Sequence, residues 1–222
     1  MRYDLCLFDL DGTLTDPKIG ITKSFQYALA AFGINEGLDN LTKFIGPPLR
    51  ESFRNYYGFS DSDTEKAVAR YREYFAETGL FENTVYPSIP ETLQMLKNSD
   101  IMLAIVTSKV TGYANKILKH FDLDEFFVMV SGDEMDGSLT KNGKRELINI
   151  ALDVLDPEHK MSVVMIGDRK HDIIGARDTG IDSIGVTWGY GSRNELETAG
   201  ATWIVDSTND LYRLIMEAFH NE

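Results

Sequence analysis

Five short apolar runs that do not alternate with polar residues limit most strongly what this chain folds into. They cover residues 3–10 (YDLCLFDL), 102–107 (MLAIVT), 127–131 (FVMVS), 163–166 (VVMI) and 183–186 (SIGV), with a weaker one over 202–205. A strand with one wet face alternates polar and apolar residues, whereas an unbroken run fits a parallel strand covered by helices on both faces. Between the runs lie helical patterns. Ser88 and Glu91 form a capping-box start ahead of Leu93 and Leu96. Leu147, Ile148, Ala151, Leu152 and Leu155 mark one apolar helix face, and Leu211, Leu214, Ile215, Ala218 and Phe219 mark another. From about residue 88 onward helix and strand take turns, which predicts an α/β fold with an open, doubly wound, Rossmann-like parallel sheet.

Residues 17–83 break that rhythm. Ile21, Phe25, Ala28, Leu29 and Phe32 share a helical face; Leu49, Phe53 and Tyr56 or Tyr57 give a second, and Val68, Tyr71 and Phe75 a third. No strand pattern is present there, and the stretch is too long for an ordinary loop. We therefore expect a small helical cap domain over residues 17–83, inserted into an α/β core made of residues 1–16 and 84–222.

Charge narrows the partners. Among 222 residues, 35 Asp and Glu face 22 Lys and Arg, a formal net charge of −13. With no basic run to offset it, such a chain repels nucleic-acid polymers and anionic membranes. The single Cys6 excludes an internal disulfide and any multi-cysteine zinc site, and is read as an inert core residue. No apolar run approaches the roughly 20 residues that span a bilayer, and the N-terminus lacks the regions of a secretory signal. A soluble, cytoplasmic monomer or weak homodimer is expected.

Ligands of open α/β sheets bind at the carboxyl ends of the strands. The first strand ends in Asp9-Leu10-Asp11-Gly12-Thr13, the strand at residue 102 in Thr107-Ser108-Lys109, and the strand at residue 163 in Gly167-Asp168, with Asp172 four residues on. Lys144 opens the helix before that last strand. Carboxylates gathered this way repel one another unless a cation joins them, and an all-oxygen set suits Mg²⁺. Asp9, Asp11, Asp168 and Asp172 against Mg²⁺ and Lys144 leave one net negative charge, which protonation of Asp11 removes. A phosphate dianion then enters despite the acidic chain. Thr107 and Ser108 supply hydroxyl donors for its oxygens.

FDLDGTLTD, the strand-end Thr107-Ser108, a downstream lysine and IGDRKHD together resemble the haloacid dehalogenase superfamily, in its phosphoglycolate-phosphatase-like branch, over nearly the whole chain. The resemblance implies a Mg²⁺-dependent phosphatase of a small phosphorylated metabolite. It makes Asp9 the nucleophile that forms an aspartyl-phosphate, and Asp11 the acid and then the base. It also implies that Asp9, the main-chain carbonyl of Asp11 and Asp168 bind the metal, with Asp172 supporting it, and that Thr107 and Lys144 hold phosphoryl oxygens. Many relatives carry a lysine followed by proline as the third motif; here the region reads LTKNGKRE, so either Lys141 or Lys144 serves. Lys144 is preferred because Glu146, Leu147 and Ile148 run straight into the apolar helix face. In the cap, Gly46-Pro47-Pro48-Leu49-Arg50 reads equally as helix initiation and as a loop reaching the substrate, with Gly46 and Arg50 as its contacts. Lys23 and His171 read as surface residues, and Trp188-Gly189-Tyr190-Gly191 as a glycine-rich turn.

Phosphoglycolate is the nearest substrate by branch, and nucleoside monophosphates, the substrates of a 5′-nucleotidase, come second. A phosphosugar mutase shares the same pair Asp9 and Asp11. A dehalogenase has no leaving oxygen for Asp11 to protonate. A receiver-type signalling module would place similar groups on a similar sheet, but has no use for the helical insertion.

Overall fold

Four consecutive apolar residues, all buried, make the first strand, β1 (Leu5–Phe8). The structure, a computed structural model, describes residues 3–141 and 143–217. After β1 come β2 (Thr15–Asp16), α1 (Lys18–Ala30), α2 (Leu49–Tyr57), α3 (Asp61–Tyr74) and β3 (Thr84–Val85). They are followed by α4 (Ile89–Lys97), β4 (Met102–Val110), α5 (Thr111–His120), β5 (Val130–Asp133), α6 (Arg145–Leu155) and β6 (Val163–Gly167). The order closes with α7 (Lys170–Thr179), β7 (Asp182–Val186), α8 (Arg193–Ala199), β8 (Trp203–Val205) and α9 (Thr208–Met216). Ala218, Phe219 and His220 lie outside the described residues.

Chain contacts divide the protein into two compact units: residues up to Leu14 together with those from Val85 on, and Thr15–Thr84. The first unit holds a six-stranded sheet in the order β5-β4-β1-β6-β7-β8, and every pairing is parallel. It is the doubly wound α/β sheet that the apolar runs predict. In β1, Leu5 and Leu7 face a cluster with Leu147, Ile148, Ala151 and Leu152 of α6 and Ala176 of α7. Phe8 alternates to the other face, where its ring meets Phe127 edge-on at 6.3 Å. Because β1 lies between β4 and β6, the chain leaves it in opposite directions on its two sides. That is a topological switch point, where such sheets open a crevice beyond their carboxyl ends.

Strand edges depart from the sequence pattern in places. The run at residue 127 becomes strand only at Val130, because Asp124–Phe126 turn as a short 3₁₀ helix and Phe127 is spent packing on Phe8. β4 extends through Val110, with a register shift against β5 between Thr107 and Val110. Such bulges re-aim strand-end side chains. Ser88 corrects one expectation: its φ is +63° and its side chain makes no capping hydrogen bond. An N-cap oxygen reaches the helix amides only from an extended backbone, so α4 starts without that cap.

The second unit is built on aromatic contacts. Phe25 of α1 lies 4.8 Å from Phe44, 5.1 Å from Phe53 of α2 and 5.1 Å from Tyr71 of α3, ring centre to ring centre. Phe25, Phe53 and Tyr71 belong to the apolar faces read from the helical spacing, Phe44 joins them from a short 3₁₀ stretch the spacing did not mark, and burying them together gives the unit its own core. Among the described residues, no helix is long and apolar enough to cross a membrane.

Candidate active site

Asp9 continues the ladder of β1, its amide donating to the Ile166 carbonyl at 2.9 Å. The chain then turns back on itself, with the Leu14 amide donating to the Leu10 carbonyl at 2.9 Å, so Asp9 and Asp11 are fixed at the strand tip. Next to them, β6 ends at Gly167 and delivers Asp168, while the first turn of α7 delivers Asp172. Asp9, Asp168 and Asp172 are all buried, and one carboxylate oxygen from each lies within 4.8 Å of the other two. Gly12 permits this closeness. Its φ is +88°, and a Cβ there would lie 2.3 Å from Asp168 Oδ2, so any side chain would push the carboxylate away.

Each carboxylate is held differently. Lys144, buried at the start of α6, places Nζ 2.9 Å from Asp9 Oδ1 and also pairs with Asp172 Oδ1. Asp172 spends its second oxygen on the Arg169 amide at 3.0 Å, capping α7. Asp168 Oδ2 accepts from the Tyr190 amide at 2.7 Å, while Asp168 Oδ1 is buried with no hydrogen-bond partner. A buried, unpartnered carboxylate oxygen beside two further carboxylates costs free energy unless a cation meets it. The donor set is all oxygen, which fits Mg²⁺.

The charges respond to this packing. Burial drives the Asp168 carboxyl well above the ordinary range, and the neighbouring charges of Asp172 and Asp9 push the same way. Burial likewise raises Asp172, against the opposing pull of Lys144. For Lys144, burial disfavours the ammonium, but the attraction of Asp172 and Asp9 outweighs it and keeps the lysine charged.

Asp11 has its own partner. Lys109 Nζ lies 2.7 Å from Asp11 Oδ2, and both side chains are largely buried. Asp11 Oδ1 has no hydrogen-bond partner. Burial raises the Asp11 carboxyl above its ordinary range, while Lys109 pulls it down. Lys109 escaped the sequence reading as a site residue. Its place directly after Thr107-Ser108 on the same strand end was the available signal, but the register shift in β4 at this point has no mark in the sequence. Thr107 is buried, and its Oγ1 accepts from the Lys109 amide at 3.3 Å. Ser108 is half-buried at the same rim. Lys141 is exposed and Lys144 is not, so geometry separates the two lysines.

Gly46 and Arg50 belong to the second unit, where Gly46 has a φ of +101° and Arg50 grips Glu65 with Nε–Oε1 at 2.7 Å and Nη2–Oε2 at 3.0 Å. Lys23 pairs with Glu82. His171 is half-buried rather than superficial; burial and the charges of Arg169, Lys144 and Lys170 lower its pKa to about 4. The turn at Trp188 is part of the site, since its Tyr190 amide holds Asp168.

The sequence profile of the family described as haloacid dehalogenase-like hydrolase matches residues 6–186. A 5′-nucleotidase of Pseudomonas aeruginosa is 48% identical over 199 residues, 88% of each chain. The tyrosine-protein kinase PtkA of Mycobacterium tuberculosis is 38% identical over 89% of this chain and 67% of its own. The crystal structure of a predicted phosphatase from Clostridium acetobutylicum superposes with a TM-score of 0.91 at 43% identity, covering 98% of this chain and all of that one (100%). The convergent aspartates at the switch point and these likenesses agree: the chain belongs to the haloacid dehalogenase-like hydrolases.

Proposed function

We propose that this hydrolase is a phosphatase acting on a small phosphorylated metabolite, with Mg²⁺ as its cofactor and Asp9 as its nucleophile. The observation that carries the reading is the buried trio Asp9, Asp168 and Asp172 around one point, with Asp168 Oδ1 left without a protein partner. Asp9, Asp168 and the main-chain carbonyl of Asp11 are the groups that would hold the cation, with Asp172 supporting through Lys144. When bound, Mg²⁺ neutralises charge on the phosphoryl oxygens.

The remaining chemistry belongs to the chain. A carboxylate oxygen of Asp9 attacks phosphorus, and the bond from phosphorus to the ester oxygen breaks as Asp11 gives that oxygen a proton. Asp11 then takes a proton from a water, whose oxygen attacks phosphorus and releases phosphate and Asp9. Thr107 and Ser108 donate to the phosphoryl oxygens, and Lys144 offsets charge on Asp9. The unit Thr15–Thr84, inserted in sequence after the first strand, is the cap domain of this reading.

For that organic part, the 48% likeness to a 5′-nucleotidase favours nucleoside monophosphates over phosphoglycolate. The test is phosphate release from nucleoside monophosphates, phosphoglycolate and sugar phosphates, each with Mg²⁺ and with a chelator. The highest kcat/KM is expected for a nucleoside monophosphate, with release abolished by chelation. Activity that survives chelation would remove the metal, and conversion of glucose 1-phosphate to its isomer without phosphate release would make the protein a mutase.

A further inference from the structure

The turn from Trp188 to Gly191 lies against the aspartates more closely than a connecting loop needs to. The Tyr190 amide donates to Asp168 Oδ2 at 2.7 Å. Trp188 Nε1 donates to the Thr13 carbonyl at 3.0 Å, which ties the turn to the loop carrying Asp9 and Asp11. A Cβ on Gly189 would lie 2.3 Å from the Gly12 carbonyl oxygen and 2.4 Å from Asp168 Oδ2; one on Gly191 would lie 2.0 Å from the Asp168 carbonyl oxygen. The start of the turn is anchored from the other side, because Thr187 donates through its amide to the Val205 carbonyl at 3.1 Å and through its hydroxyl to Asp206 at 2.6 Å.

From this geometry we infer that Trp188, Gly189 and the Tyr190 amide are positioning residues for the divalent cation. The amide occupies one oxygen of Asp168, leaving Oδ1 as the oxygen presented to the ion. The Trp188 bond fixes the distance between the loop after β1 and the end of β6, so the two halves of the ligand set stay in register. Partners that orient a ligand in this way typically change metal affinity by about 10- to 100-fold when lost. The inference rests on the divalent-cation reading above.

The test is direct Mn²⁺ binding by electron paramagnetic resonance on the full chain, alongside thermal unfolding of the metal-free protein. Trp188→Phe keeps the aromatic body and removes the donor; Gly189→Ala puts a methyl against Asp168. We expect Mn²⁺ to bind about 10-fold more weakly to Trp188→Phe and about 100-fold more weakly to Gly189→Ala, with excess Mg²⁺ restoring kcat in Trp188→Phe. Wild-type Mn²⁺ affinity in Trp188→Phe would overturn the inference and leave the phosphatase reading standing. An unmodified chain that binds neither Mn²⁺ nor Mg²⁺ would overturn both. Should Gly189→Ala fail to fold, Trp188→Phe decides alone.

Discussion

Lys109 Nζ sits 2.7 Å from Asp11 Oδ2 in a largely buried pair, so the group assigned to move protons has a cation in permanent reach. The two halves of the reaction ask opposite things of Asp11. In the proposed mechanism it carries a proton to the leaving oxygen and then, ionised, takes one from water. Burial favours the protonated form, and Lys109 favours the ionised one. The pair therefore keeps both states within reach of one site.

Removing the cation unbalances the second half. Lys109→Met is expected to slow turnover by roughly 10- to 100-fold, with phosphorylated protein accumulating in intact mass spectra. Asp11→Asn is expected to be slower still, with the phosphoryl-enzyme trapped whenever it forms. Turnover at the normal rate in Asp11→Asn would end the acid–base assignment.

Asp9→Asn is expected to lower kcat by at least about 10⁴-fold. Its metal-free melting temperature should hold or rise, since one of three clustered carboxylates loses its charge while Lys144 keeps Asp172. Steady-state kinetics and calorimetry check the two halves, and near-normal activity removes the nucleophile.

Lys144 and Lys141 should part company. Lys144 is buried between Asp9 and Asp172, and Lys144→Ala strands those charges, costing about 3 kcal/mol of metal-free stability or more as well as activity. Lys141 is exposed, and Lys141→Ala should leave kcat/KM and the melting temperature unchanged. Equal effects from both substitutions would contradict the geometry.

Cation and pH should act together on stability. Asp168 and Asp11 have folded pKa values raised by burial. A carboxyl raised in this sense costs nothing while protonated, and stability is lost as pH climbs from its unfolded value through its folded one. Mg²⁺ bound as proposed would relieve that loss at Asp168, so the gain in melting temperature on adding it should grow as pH rises above the ordinary carboxylate range. Asp168→Asn should flatten the dependence. A gain that does not change with pH contradicts a raised Asp168.

What the chain reveals by itself is whatever short-range pattern and residue type encode. The unbroken run Leu5–Phe8 ending in Asp-Leu-Asp-Gly-Thr, the helix–strand alternation after residue 88 and the aromatic spacing of Phe25, Phe53 and Tyr71 all depend on neighbours in sequence. Those features were enough to name the strand ends and the aspartates they carry. Tertiary structure decided the rest, because it depends on which distant backbones touch. Sequence spacing left Lys141 and Lys144 as alternatives until burial separated them. Only the folded chain brings Lys109, beside the register shift in β4, to Asp11, and only the approach of two strand ends makes Gly189 and the Tyr190 amide partners of Asp168. A period of hydrophobicity records a residue's own environment, and contacts between residues distant in sequence leave no such periodic trace.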